Sequence, residues 1–474
     1  MYTFEAGFME KFDVIVVGSG SGMLVASAAV EQGYKVALVE HGRMGGTCIN
    51  VGCVPSKMLI YPADAIAALN AASKIGVKAQ LDAVDFQNIM TRMRTLVTHD
   101  TSHQAAAVQA TPKITWFKER CEFISDYTLQ VGGHTITAKA IFIASGARTA
   151  IPPINNIQNI NYLTSDTVLE LTDQPKSIII VGGGYIGMEY SHFFSSIGTK
   201  TTVIQRGSRL LPEEEPEISD LLRREMASRM DIYTDFEALE IKEQGSIKTL
   251  AAKSRVDGTV KEFSAEALMI ATGRISNADI LRPEKTGVKL DARGFIVVNE
   301  QLETSKKGIY AFGDAIGKMM FKHAANYEAG LVWHNSTHDH KAKMDFSATP
   351  HAVFTHPQIA SVGLKQEEAK QQGYKFLVGN AFYRDTAMGA AMGNPEGFAK
   401  VIVEQPTGKI LGAHIIGPEA AVLIQEVTNA MVSGNGDYGP IARGMHIHPA
   451  LNEVVQNAFG NLQDPEHKHD HETH

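Results

Sequence analysis

Cysteine is scarce in this chain: three residues in 474, at positions 48, 53 and 121. That count excludes a scaffold stapled by disulfides. No run of about 18 apolar residues occurs, so no transmembrane helix is expected. Nor is there a basic stripe interleaved with aromatics, and a formal charge of −8 predicts solubility without a nucleic-acid partner. The stretch from Met1 to Lys11 holds acids and lacks a long apolar core, so it does not read as a signal peptide. The eight residues ahead of Met9 read as a disordered extension or the product of an upstream start. Reduced thiols, no signal and no spanning segment together point to the cytoplasm. A content of 44% hydrophobic and 20% charged residues fits about three globular domains. The His-rich end, Asp464 to His474, reads as a solvated tail, and no metal centre is assigned.

Two of the three thiols fall in one run, Gly45-Gly46-Thr47-Cys48-Ile49-Asn50-Val51-Gly52-Cys53-Val54-Pro55-Ser56-Lys57. Metal knuckles want about two to four residues between ligands and a second pair elsewhere, which is missing. In a regular helix the two Cα atoms would stand roughly 8 to 9 Å apart, beyond the ~7 Å reach of a disulfide. A bridge here needs a distorted turn, which Gly52 allows, and it would be strained and reducible. The pair reads as a redox dithiol in preference to a structural one.

The chain also repeats itself. Asp13 to Val17 is a β-branched run suited to a strand buried on both faces, leading into Gly18-Ser19-Gly20-Ser21-Gly22-Met23 and an alanine-rich helix. A second strand, Lys35 to Val39, ends at Glu40, an acid placed to accept hydrogen bonds from a ribose diol. The glycines allow a pyrophosphate to approach a helix N-terminus. Met23 stands where a third glycine is usual, and Gly22 is expected to ease the crowding. About 165 positions on, Ser177 to Val181 leads through Gly182-Gly183-Gly184-Tyr185-Ile186-Gly187 to Thr201-Thr202-Val203-Ile204-Gln205-Arg206. Two such units in one chain indicate two dinucleotides. In the second, Gln205 replaces the ribose-binding acid and Arg206 and Arg209 follow, which favours a 2′-phosphate and hence NADPH.

Together with the C-terminal run Met445-His446-Ile447-His448-Pro449-Ala450-Leu451-Asn452-Glu453, these segments resemble the pyridine nucleotide-disulfide oxidoreductases over Phe12 to Gly460. The resemblance implies an α/β fold with two Rossmann-like dinucleotide-binding domains, for FAD and NAD(P), plus a C-terminal α+β dimerisation domain. The implied boundaries are 1–148 and 272–345 for the two parts of the FAD domain, 149–271 for NAD(P), 346–460 for the interface domain and 461–474 for a disordered tail. FAD contacts fall to Gly18, Gly20, Gly22, Glu40, Gly46, Thr47, Lys57, Ser145, Gly146 and Asp314. Those to NAD(P) fall to Gly182, Gly184, Tyr185, Gly187, Gln205, Arg206 and Gly273, with Tyr185 covering the nicotinamide pocket. Ala144-Ser145-Gly146 and Ala271-Thr272-Gly273-Arg274 are similar to the family's turns between domains. Asp314, in Tyr310-Ala311-Phe312-Gly313-Asp314, is similar to the aspartate that holds the ribityl chain.

The resemblance also implies the chemistry. Cys53 faces the flavin, Cys48 exchanges with substrate, and His448, held by Glu453, is the base acting on the cysteines of a second subunit in a homodimer. His446 is read as a neighbour that shapes the site. Lys57 and Glu189 are expected to pair beside the flavin. The partner is a small dithiol or disulfide, or a lipoyl domain. The His446-Ile447-His448-Pro449 pattern resembles dihydrolipoamide dehydrogenase, the preferred branch. The alternative, an NADPH-dependent reductase like mycothione reductase, is supported by Gln205, Arg206 and the Lys57-Met58-Leu59-Ile60-Tyr61 run. Mercuric reductase is disfavoured, since no second thiol pair lies near the C-terminus. A non-turnover flavin redox sensor is the reading from another class, and retention of Cys48, Cys53, His448 and Glu453 argues against it.

Overall fold

The computed structural model describes residues 9–466. The first eight residues and the histidines of the C-terminal end lie outside that range. Val14–Val17 is the middle strand of a five-stranded parallel sheet, ordered Ile309–Ala311, Ala140–Ile143, Val14–Val17, Val36–Val39 and Ile114–Phe117. All four residues of Val14–Val17 and of Val36–Val39 are buried, as β-branched strands covered on both faces should be. A second parallel sheet repeats the plan with Asp231–Thr234, Lys200–Gln205, Ser177–Val181 and Ala267–Ile270. An antiparallel ribbon, Ala147–Thr149 against Arg274–Ser276, carries the chain out of the first unit and back.

Each glycine loop is forced by a close approach. A Cβ on Gly18, at φ +100°, would stand 2.2 Å from the Ala144 carbonyl oxygen; on Gly182, at φ +116°, it would stand 2.2 Å from that of Ala271. Helix-to-strand packing in the first unit falls to Gly22, whose Cβ would sit 2.9 Å from Val16 Cγ1. Met23 is thereby left half-buried at the edge of the core.

The C-terminal part is a five-stranded antiparallel sheet, ordered His351–Val353, Ile359–Gly363, Ile410–Ile416, Phe398–Glu404 and Phe376–Phe382, packed by the helices Ala420–Val432 and Glu453–Gly460. Asn461 to Gln463, assigned from sequence to a disordered tail, instead continue this unit. Gln463 exchanges both backbone hydrogen bonds with Val378, and Asn461 Nδ2 donates to the Asn380 carbonyl. The edge strand Phe376–Phe382 offered unpaired backbone groups, and the segment satisfies them.

This sheet is joined to the second nucleotide unit by buried charges. Glu214 lies 2.7 Å from His351 Nε2 and accepts from Ser361 Oγ at 2.7 Å. Lys400 Nζ stands 3.3 Å from Glu215 and 2.5 Å from Glu217, with Lys400 and Glu215 both buried. Breaking one side of a buried pair strands the other charge. Lys400→Met is therefore expected to destabilise the protein by about 3 kcal/mol, and the double change Lys400→Met/Glu215→Gln by clearly less. Urea unfolding checks this; additive losses would show that the pair is not coupled.

Candidate active site

The cysteine run does not form one helix. Gly46–Asn50 and Cys53–Ala71 are separate helices broken at Val51-Gly52, where a Cβ on Gly52 would meet the Thr47 carbonyl oxygen at 2.9 Å. That break is the distorted turn the spacing requires. It brings the two thiols close enough for each to act on the other's titration. The contact with Cys48 lowers the Cys53 thiol to about 7 against the opposing effect of burial, and the Lys57 charge helps. Cys48 in turn titrates well above an ordinary thiol. The third thiol, Cys121, opens the strand Cys121–Ser125 of a separate four-stranded sheet, is buried, and is pushed up to about 12, which makes it inert.

Lys57 lies one turn along the helix from Cys53. Its Nζ contacts both oxygens of Glu189, at 2.7 and 2.8 Å, and sits 4.3 Å from the Phe354 ring centre. Glu189 stands one turn inside the helix Tyr185–Ser196. Tyr185 opens that helix and stacks on Phe321 and His351, at centroid distances of 5.8 and 5.6 Å.

Around the thiols the first unit has the features a flavin dinucleotide needs. Gly20 and Gly46 touch, a Cβ on Gly46 falling 2.6 Å from Gly20 Cα, so the glycine loop abuts the cysteine segment. Glu40 accepts from the Ser19 amide and hydroxyl at 3.0 and 2.9 Å and from the Gly42 amide at 2.8 Å. Further along, burial raises the Asp314 carboxyl against the pull of Arg274, whose Nε is 3.3 Å away. Glu328 is fully buried, accepts from the Gly313 amide at 2.6 Å and is pushed up to about 7 by desolvation. Its other oxygen and the Ser145 hydroxyl are buried without partners. Such orphaned polar groups suit a polar ligand, so the residues fit FAD. Glu328 was missed in the sequence because a helix glutamate carries no motif of its own.

In the second unit Gln205 Oε1 accepts from the Gly183 amide at 3.0 Å, just as Glu40 accepts from Ser19. Its Nε2 donates to the Arg209 carbonyl at 3.1 Å. The Arg206 side chain is exposed. Arg255, exposed at the end of the strand Ile247–Ser254, donates through Nη1 to the Arg206 carbonyl at 3.2 Å. Sequence reasoning missed Arg255: 49 positions separate it from Arg206, and only the hairpin brings them together.

His448 Nδ1 lies 2.7 Å from Glu453 Oε1, and the Ala450 amide donates to the other oxygen at 3.1 Å. The His448 contact holds the Glu453 carboxyl below its usual range. His446 is engaged elsewhere, 2.5 Å from Glu426. Within one chain His448 is 71% exposed and shares no hydrogen bond with either cysteine among the described residues.

Comparison with known proteins agrees with this arrangement. Residues 12–329 match the model of the pyridine nucleotide-disulphide oxidoreductases, and residues 349–459 that of their dimerisation domain. The chain belongs to this family. Mycothione reductase of Mycobacterium tuberculosis is 35% identical over 470 residues, covering 96% of this chain and all of the relative. Dihydrolipoyl dehydrogenase of Synechocystis sp. is 33% identical over 472 residues, covering 94% and 98%. Mercuric reductase of Staphylococcus aureus is 33% identical, with 89% of this chain and 77% of that one covered. Among solved structures, the Cu(II) complex of the HOCl-induced flavoprotein disulfide reductase RclA from Escherichia coli superposes with a TM-score of 0.84 at 27% identity, covering 95% and 99%. The chain is thus an enzyme of a flavin-binding, NAD(P)H-dependent family.

Charge in this pyridine nucleotide-disulphide oxidoreductase makes a signed prediction. Lys57 lowers the Cys53 thiol and Glu189 raises it. In the reduced protein the Cys53 thiolate forms as pH rises through about 7 and is lost below it. Lys57→Met should move that midpoint up by about one unit, and Glu189→Gln should move it down. Ultraviolet thiolate absorbance against pH reads both, and shifts of the same sign would overturn the assignment.

Proposed function

We propose that this enzyme reduces a small disulfide with NADPH, as a homodimer in which each active site takes its base from the other copy. The observation that carries the reading is the ribose corner of the second unit. Gln205 has both amide groups engaged, and no carboxylate is bonded to Arg206 or Arg255 among the described residues. A 2′-phosphate would meet the guanidiniums of Arg206 and Arg255 there, with Gln205 in place of the ribose-binding acid. This moves the balance from the dehydrogenase branch, preferred on sequence, to the reductase.

Bound FAD supplies the two-electron relay between nicotinamide and thiols. The chain's own residues do the rest. Cys48, as thiolate, attacks one sulfur of the substrate; that S–S bond breaks and the first thiol leaves with a proton from the partner subunit's His448. Cys53 then attacks Cys48, releasing the second thiol and closing the Cys48–Cys53 disulfide. The substrate has gained two electrons and two protons, and the dithiol has lost them. Glu453 holds His448 with Nε2 free for that transfer. Support for the dimer comes from the matched dimerisation domain and from Met445 and Ile447, which stand 103% and 75% exposed beside His448.

Turnover with NADPH and NADH against mycothiol disulfide, glutathione disulfide and lipoamide tests the reading. NADPH should be preferred, and Arg206→Leu should lower kcat/KM for NADPH by about 30-fold, some 2 kcal/mol of a charge-assisted contact, with NADH little changed. Equal use of NADH would overturn the coenzyme assignment. Turnover of lipoamide alone would restore dihydrolipoamide dehydrogenase, the second reading, for which the His446-Ile447-His448-Pro449 run speaks. Glu453→Gln should cut kcat by about tenfold or more and flatten its pH profile; an unchanged profile would remove Glu453 from the base.

A further inference from the structure

Asn50 lies between the two cysteines and closes the helix Gly46–Asn50, which carries Cys48. That helix is five residues long, and none of them is buried. A single helical turn is not stable by itself, and core packing does not hold this one. Its entry is equally free, since Gly45 and Gly46 sit at φ +101° and +61° and glycine has many other conformations open to it. The Asn50 side chain supplies the missing restraint. Its Nδ2 donates to the carbonyls of Met44 and Gly46, both at 2.9 Å, and that of Arg43 shares the donor at 3.3 Å. Met44 is buried in the core of the first nucleotide unit, so the end of the helix is tied to a fixed point ahead of its start.

The amide has one orientation open to it. Turning it over would set the oxygen against three carbonyls. In the orientation it takes, Oδ1 is buried without a partner among the described residues, so stability alone would favour an apolar side chain here. Beyond Asn50 the helix breaks: Val51 donates to the Thr47 carbonyl at 2.9 Å, and the second helix starts at Cys53. Both thiols are free in this structure, and the clamp is in place in that state. Oxidised and reduced protein depend on it unequally. A disulfide holds the turn by its own covalent bond. The dithiol has no such bond, and a regular helix through the same residues would part the two Cα atoms by roughly 8 to 9 Å. Without the clamp, the dithiol gains conformations with its sulfurs apart, and the disulfide does not.

We propose that Asn50 is a positioning residue for the redox pair: by tying the Cys48 helix to its own entry turn, it keeps the reduced thiols in the conformation that closes the bond, and so makes the disulfide harder to reduce. This rests on the proposed function only in taking Cys48 and Cys53 as the pair that forms the disulfide. Neither the substrate nor the coenzyme enters it.

The flavin-loaded enzyme is equilibrated without oxygen in mixtures of reduced and oxidised dithiothreitol, quenched in acid and alkylated, and the Cys48–Cys53 disulfide is counted by mass spectrometry. Dithiothreitol passes two electrons and two protons to the bridge and closes into its own cyclic disulfide, leaving Cys48 and Cys53 as thiols. Asn50→Ala should reach half-reduction at an about tenfold lower ratio of reduced to oxidised dithiothreitol, a rise of about 30 mV. A merely structural role weakens oxidised and reduced protein alike and leaves that ratio where it was. A ratio within about twofold of the parent, or one moved the other way, overturns the proposal. Should Asn50→Ala purify without flavin, Asn50→Leu decides on the same readout, since it keeps the volume and loses only the amide. Loss of flavin from both variants overturns the proposal and gives the amide a part in holding the dinucleotide instead. A parent that forms no Cys48–Cys53 disulfide at any ratio sinks the proposed function, whereas variants that match a parent which does form it sink this inference alone.

Discussion

Three parts of the chain meet at the carboxylate of Glu189. It accepts from Lys57 on the cysteine helix, at 2.7 and 2.8 Å, and from the Phe354 amide beside the C-terminal sheet, at 3.0 Å, while itself belonging to the second nucleotide unit. An ion pair held this way, by two donors from different elements, resists rearrangement better than a free surface pair. Through it the helix that carries Cys53 is fastened to the helix that begins at Tyr185, so the thiols and the second nucleotide unit share one seam. The cluster of Tyr185, Phe321 and His351, with His351 in turn on Glu214, extends that seam into the C-terminal sheet.

With the seam in place, the electrostatics of the dithiol become local. Cys53 is lowered by its contact with Cys48 and a nearby ammonium, whereas Cys121, desolvated and facing the Glu40 carboxylate, is pushed the other way. The same residue type differs in reactivity because of what faces it. The glycine loop contributes by being thin. Only because neither Gly20 nor Gly46 carries a side chain can the loop lie this close against the cysteine segment.

Much of this was legible in the sequence wherever the chemistry is carried by contiguous residues. Gly18-Ser19-Gly20, Gly182-Gly183-Gly184 and the Cys48 to Cys53 spacing are local patterns, and their geometry follows from backbone sterics and helix pitch. The pairing of Lys57 with Glu189, 132 positions apart, was reachable only through family resemblance and then appeared as an ion pair. Glu328 and Arg255 were not legible. Each is an ordinary polar residue whose role comes from a tertiary neighbour: the Gly313 amide across a helix start, and the Arg206 carbonyl across a hairpin. The tail misjudged at Asn461 to Gln463 has the same cause, since a polar composition says nothing about an edge strand waiting to be paired.

His448 is not among the groups that act on either thiol within one chain. His448 instead projects from the C-terminal domain with its carboxylate partner, on a segment whose exposed Met445 and Ile447 suit burial against another copy. On the proposed reading, Glu453 holds His448 through Nδ1 and leaves Nε2 for proton transfer to the thiols of another copy.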